Sequence, residues 1–96
     1  MSPRMRAILS TTLVEVYTRP SCSLCADALE LLHAARRAWG FELVERDIFE
    51  REEWFSRYRH QVPVVAVGGI DRLSLKFSQQ ELEVALAAAL EEVSRP

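Results

Sequence analysis

The sequence predicts an α/β protein built on one four-stranded mixed sheet with helices on both faces. Three observations lead there. Short β-branched runs alternate with amphipathic stretches in the order β-α-β-α-β-β-α. The first strand–helix–strand unit calls for a right-handed parallel crossover. A Gly68-Gly69 pair between the last two strand patterns calls for an antiparallel hairpin.

Residues 1–12 show no clear period and are expected to form a flexible leader, with one domain over 13–96. Leu13 to Tyr17 reads as the first strand, with Val14 and Val16 on one side and Leu13, Glu15 and Tyr17 on the other. Pro20 blocks strand pairing beyond it. From about Ser23 to Ala38, the residues Leu24, Ala28, Leu31, Leu32 and Ala35 recur at steps of three and four, the stripe of an amphipathic helix. Acids (Asp27, Glu30) come early and bases (Arg36, Arg37) late, matching the helix dipole, and Gly40 suits a left-handed cap after Trp39. Phe41 to Ile48 carries a partial strand alternation. Asp47 is placed to cap a short helix from about Glu50 to Tyr58, with Trp54, Phe55 and Tyr58 as its core side. The Glu50-Arg51-Glu52-Glu53 run reads as a solvated face, and His60-Gln61 as a loop. Val64 to Val67 is a continuous β-branched run of the kind found in buried central strands. Asp71 to Phe77 reads as the returning strand, with Leu73, Leu75 and Phe77 on one face. Ser78-Gln79-Gln80-Glu81 is a capping-box start for a last helix to about Val93, with Leu82, Leu86, Ala89, Leu90 and Val93 on one side.

A chain of 96 residues suffices for one small domain with a single core. The net charge of −2 argues against general nucleic-acid affinity and gives no membrane-surface patch. No apolar run approaches the ~20 residues that span a bilayer. Ser10-Thr11-Thr12 interrupts the N-terminal stretch too soon for a signal-peptide core. The expectation is a cytoplasmic monomer.

Both cysteines, Cys22 and Cys25, fall where the first strand hands over to the first helix. Residues three apart on a helical turn share a face, so the two sulfurs can close a disulfide. That disulfide closes a tiny loop and does little to restrain the unfolded chain, whereas a structural staple joins distant segments. In a reducing compartment such a pair is redox-active or metal-binding more often than structural. Cys22 sits at the helix start, where unpaired amide N–H groups favour a thiolate, with Arg19 three residues upstream as an electrostatic aid. Cys25 sits inside the first turn, more buried and less ionised. Cys22 is thus the candidate nucleophile and Cys25 the resolving thiol. Two other readings stand beside this one: a pair of small buried hydrophobes, and a metal site. Two cysteines supply half of a four-ligand zinc site, and His33 and His60 are placed as solvent-facing residues rather than ligands, so a metal reading needs a cluster shared between two chains.

The stretch Val16-Tyr17-Thr18-Arg19-Pro20-Ser21-Cys22-Ser23-Leu24-Cys25, with Val62-Pro63 before a strand and a Gly-Gly hairpin, resembles the glutaredoxin family of the thioredoxin-like fold. It is most similar to small bacterial glutaredoxin-like proteins whose motif reads Tyr-Thr-Arg-x-x-Cys-x-Leu-Cys. The resemblance covers about residues 13 to 92. It implies a thiol–disulfide oxidoreductase acting through Cys22 and Cys25, with Tyr17, Arg19, Val62 and Pro63 on the substrate side of the site. It also implies a cis Val62–Pro63 bond and a Val62 backbone that pairs with bound peptide or glutathione as an added strand. Two features depart from the family pattern. Ser23-Leu24 stands where glutaredoxins usually have Pro-Tyr, and Lys76-Phe77-Ser78-Gln79 stands where their glutathione site has Gly-Gly and Asp. No tightly bound cofactor is implied. Glutathione is the candidate co-substrate, and protein or low-molecular-weight disulfides, glutathione or a reductase are the candidate partners. The alternatives from other classes are a module that holds a partner protein or an iron–sulfur cluster with little turnover, and a scaffold whose cysteines have lost their role.

Overall fold

A computed structural model describes residues 12–94, with side chains described through Glu92. The expected leader therefore lies outside the described residues except for Thr12, and so does the side chain of Val93. The elements are β1 (Leu13–Thr18), α1 (Ser23–Trp39), β2 (Glu42–Asp47), a 3₁₀ turn (Ile48–Glu50), α2 (Glu52–Tyr58), β3 (Val64–Val67), β4 (Ile70–Ser74) and α3 (Gln79–Ser94). The sheet order is β2-β1-β3-β4. β1 runs parallel to β2 and antiparallel to β3, and β3 pairs antiparallel with β4.

Strand alternation splits the core in two, because successive side chains point to opposite faces. Val14 and Val16 of β1, with Val65 and Val67 of β3, meet Ala28 and Leu32 of α1 and Leu82, Leu86 and Ala89 of α3 to form the upper core. On the other face, the lower core, Tyr17, Val64 and Ala66 meet Ile48 and Tyr58, with Trp54 and Phe55 of α2 packed around them. Two helices thus cover one face and one covers the other. All four residues of β3 are buried, as a central strand requires.

The caps follow local chemistry. Gly40 ends α1 at φ 83°, its N–H donating to the Arg36 carbonyl. Ser78 and Glu81 form the reciprocal capping box: the Glu81 N–H donates to Ser78 Oγ and the Ser78 N–H to Glu81 Oε1, both at 3.1 Å. Gly68 and Gly69 take φ of 61° and 83°, the pair of positive values a tight type I′ hairpin needs.

Three local expectations need correction. Asp47 caps the 3₁₀ turn, accepting from the Phe49 N–H at 2.9 Å, rather than the helix. Arg51 then returns to an extended backbone, and α2 starts at Glu52 without a side-chain cap. The interruption buries Ile48 completely in the lower core. Second, the first turn of α1 carries no acid, because the helix begins at Ser23 and Asp27 falls one turn later. Third, β4 stops at Ser74 instead of running to Phe77. Leu75 adopts φ 61°, and its N–H donates to the Pro63 carbonyl at 2.9 Å, so the chain leaves the sheet there. Leu73 and Phe77 reach the upper core, but Leu75 is thrown outward and is 47% exposed.

One polar contact ties α2 to β4. The Tyr58 hydroxyl donates to both Asp71 oxygens, at 3.0 and 3.1 Å, and Arg57 pairs with the same carboxylate at 3.3 Å. Burial of the ring, then the Asp71 carboxylate accepting its proton, pushes the Tyr58 phenol up to about 12. The unfolded phenol ionises near ~10, so the neutral form is favoured by folding. This contribution is complete below pH ~10 and disappears as pH rises towards about 12. Tyr58→Phe is expected to cost about 1–2 kcal/mol in urea unfolding at neutral pH, and to flatten the fall in stability of the native protein over that alkaline interval.

Candidate active site

Pro20 ends the run of β1, and Ser21, at φ 58°, turns the chain into α1. Cys22 is the N-cap of this 17-residue helix, with an extended backbone (φ −116°, ψ 108°). Its sulfur accepts the Cys25 N–H at 3.1 Å, taking the place that a serine or aspartate oxygen holds in an ordinary cap. Its carbonyl accepts the Ala26 N–H at 3.1 Å. The helix therefore starts on a sulfur atom, at the end where orphan N–H groups concentrate positive potential.

Cys22 and Cys25 form a disulfide with Cα atoms 5.2 Å apart. The two sulfurs differ in exposure. Cys25 is 3% exposed and belongs to the lower core with Tyr17, Ile48 and Val62, whereas Cys22 is only partly buried and reaches solvent.

Cys22 opens on a cleft of about 370 Å³. Its lining includes the cationic Arg19 and Arg59, with His60 beside Arg59 in sequence, and the apolar Leu24, Val62 and Leu75. The Val62–Pro63 peptide bond is cis, Val62 is 6% exposed at the cleft wall, and Pro63 is fully buried. Among the described residues, the non-glycine residues with positive φ are Ser21 and Leu75, and both line this cleft. Such a backbone costs a side-chain-bearing residue about 1–2 kcal/mol. Strain of this kind concentrates at functional sites.

Of the residues singled out in the sequence, Cys22, Arg19 and Val62 share the cleft, with Cys25 beneath Cys22. Tyr17 does not line it. Its ring is 8% exposed and packs edge-on to Trp54 at 5.6 Å and tilted against Tyr58 at 4.5 Å. Burial, then the neighbouring Glu15 carboxylate, raises its phenol above the ordinary range. Tyr17 is thus part of the floor of the lower core, which also holds Cys25. Asp27 lines a separate groove along α1.

Ser21, Leu24, Arg59, His60 and Leu75 are cleft residues that pattern reading left as turn, core or loop positions. Arg59 and His60 directly precede Val62-Pro63, and that adjacency was a usable signal. Leu24 sits between the cysteines but was absorbed into the α1 stripe. Leu75 carried no signal, since leucine rarely adopts a left-handed backbone. Among the described residues, no three His, Cys, Asp or Glu side chains converge as metal ligands would, and no helix is long and apolar enough to cross a membrane.

The geometry accords with known proteins. Over 81 residues the chain is 32% identical to a "Probable Thioredoxin" of Methanothermobacter thermautotrophicus, covering 81% of this chain and 95% of that protein. Among solved structures it is similar to thioredoxin 1 of Thermosipho africanus TCF52B, with a TM-score of 0.63 at 17% identity over 86% of this chain and 99% of that one. The thioredoxin of Fasciola hepatica also gives a TM-score of 0.63, at 13% identity over 90% of this chain and 88% of that one. At those identities the solved structures establish the thioredoxin-like fold. A family model described as "Glutaredoxin-like domain (DUF836)" matches residues 13–91, and the chain belongs to that glutaredoxin-like family.

Proposed function

We propose that the protein is a thiol–disulfide oxidoreductase that exchanges a dithiol for a disulfide through Cys22 and Cys25. One observation carries this reading: a cysteine pair at the start of α1 whose outer sulfur accepts a helix N-terminal amide while the inner one is buried beneath it. In the reduced protein the same amide and the helix terminus favour the Cys22 thiolate. Arg19, on the same cleft, adds positive charge near the position the thiolate occupies.

The Cys22 thiolate attacks one sulfur of a substrate disulfide, forming a mixed disulfide and releasing the other sulfur as a thiolate. Cys25, after losing its proton to solvent, attacks Cys22 Sγ and releases the second substrate thiolate. The substrate gains two electrons and, at neutral pH, two protons; the protein gains the Cys22–Cys25 disulfide. The backbone at Val62, on the cleft wall, is the place where an extended substrate segment adds as a short strand.

Reduction of a model disulfide by the chemically reduced protein tests the reading. Cys22→Ser is expected to lower the rate by about 10³-fold or more. Cys25→Ser is expected to stop at the mixed disulfide, visible as an adduct by intact mass spectrometry. Full activity in Cys22→Ser would refute the assignment. The cationic lining gives a separate expectation. With an anionic aromatic disulfide, Arg19→Ala is expected to slow the reaction about two- to fivefold at low salt. The difference should shrink above ~0.1 M salt, where exposed charges more than ~10 Å apart are screened.

A further inference from the structure

Leu75 is the least expected residue of the cleft. It is a leucine in the left-handed region at φ 61°, 47% exposed, and pinned by its own N–H to the Pro63 carbonyl at 2.9 Å. Glycine would hold that backbone without a steric cost. The strain therefore retains a side chain that contributes little to either core. Leu75 and Leu24 together border two concavities. One is the Cys22 cleft. The other is a groove of about 350 Å³ between α1 and the β4–α3 turn, lined by the apolar Leu31 and Phe77 and by the charged Asp27, Glu30 and Lys76. The two leucines thus form an apolar saddle that joins the reactive sulfur to the groove. The charges differ at the two ends: Arg19 and Arg59 line the Cys22 cleft, whereas the groove along α1 has two acids, Asp27 and Glu30, against one base, Lys76.

Resting on the oxidoreductase reading, we propose that Leu75 is a specificity-determining residue that selects polypeptide disulfides carrying an apolar side chain next to the reacting cysteine. That side chain seats on the Leu24–Leu75 saddle. The segment continues over the α1 groove, with its acidic end towards Arg19 and Arg59 and its basic end towards Asp27 and Glu30. A small disulfide without flanking residues reaches Cys22 but not the saddle. Leu75 acts by holding substrate and takes no part in electron transfer.

The test uses the full chain, reduced with dithiothreitol and freed of it, so that each molecule turns over once without an added electron donor. Two synthetic peptide mixed disulfides serve as substrates, identical except for Leu or Ser next to the cysteine. The native protein is expected to react about tenfold faster with the Leu peptide, the size of discrimination an apolar contact provides. In Leu75→Gly and Leu75→Asn, both compatible with a left-handed backbone, that ratio is expected to fall to within about twofold of one. Leu75→Gly should melt at or above the native temperature. An unchanged ratio in both variants, or no discrimination by the native protein, overturns the proposal. A clear loss of thermal stability in Leu75→Gly also overturns it, by marking Leu75 as a structural contact. If the reduced native protein reacts with neither peptide nor any small disulfide, the oxidoreductase reading fails and the specificity proposal falls with it.

Discussion

The hydrogen bond from the Cys25 amide to Cys22 Sγ is the contact on which the site depends. It makes a sulfur atom the cap of α1, so helix formation and thiol chemistry make the same demand. A helix start leaves N–H groups without partners, and an anionic acceptor satisfies them better than a neutral one. The fold aims this terminus outward. β1 is central in the sheet and its C-terminal end delivers the chain to Ser21, whose left-handed turn places Cys22 at the helix tip. The floor beneath is made of Tyr17, Tyr58, Ile48 and Val62, and it buries Cys25. One sulfur is left open and the other held below, the asymmetry that two-step exchange requires.

The rest of the chain supports this placement from three sides. The upper core, with Leu32, Leu82 and Leu86 fully buried, fixes α1 against the sheet. The loop entering β3 brings Val62 to the cleft, and the β4–α3 turn brings Leu75 to the same cleft as Leu24. The Pro63 carbonyl bonds directly to the Leu75 N–H, so two of the three walls are locked to each other rather than to the helix. The cleft is therefore preorganised by backbone contacts, and its character is set by the side chains those contacts carry.

Much of this was legible in the sequence where local and global signals agree. Val14 and Val16, the α1 stripe, the Gly68-Gly69 turn and the Ser78–Glu81 box each satisfy a local rule that the tertiary structure also needs. The cysteine pair was legible because its spacing and its position at a strand-to-helix junction are both unusual for a structural link. Legibility ended where a residue's conformation departs from its type. Leu75 continues a perfect alternation with Leu73 and Phe77, yet a left-handed backbone turns it out of the sheet. Asp47 looks like a helix cap but caps a 3₁₀ turn that lets Ile48 fill the lower core. Tyr17 sits inside the motif and reads as a site residue, whereas its alternation with Val16 sends it to the floor. Tertiary packing decided the first two, and no window of a few residues contains it; the side taken by Tyr17 was already visible in the strand alternation.

The central claim is that the helix terminus holds Cys22 as a thiolate near neutral pH, and the rate of iodoacetamide alkylation of the reduced protein against pH tests it most directly. Thiolate absorbance near 240 nm, followed over the same range, assigns the inflection to sulfur. The account predicts an inflection for Cys22 below the ~8.5 of a free thiol, with Cys25 alkylated only at higher pH. An inflection for Cys22 at or above ~8.5 would contradict it.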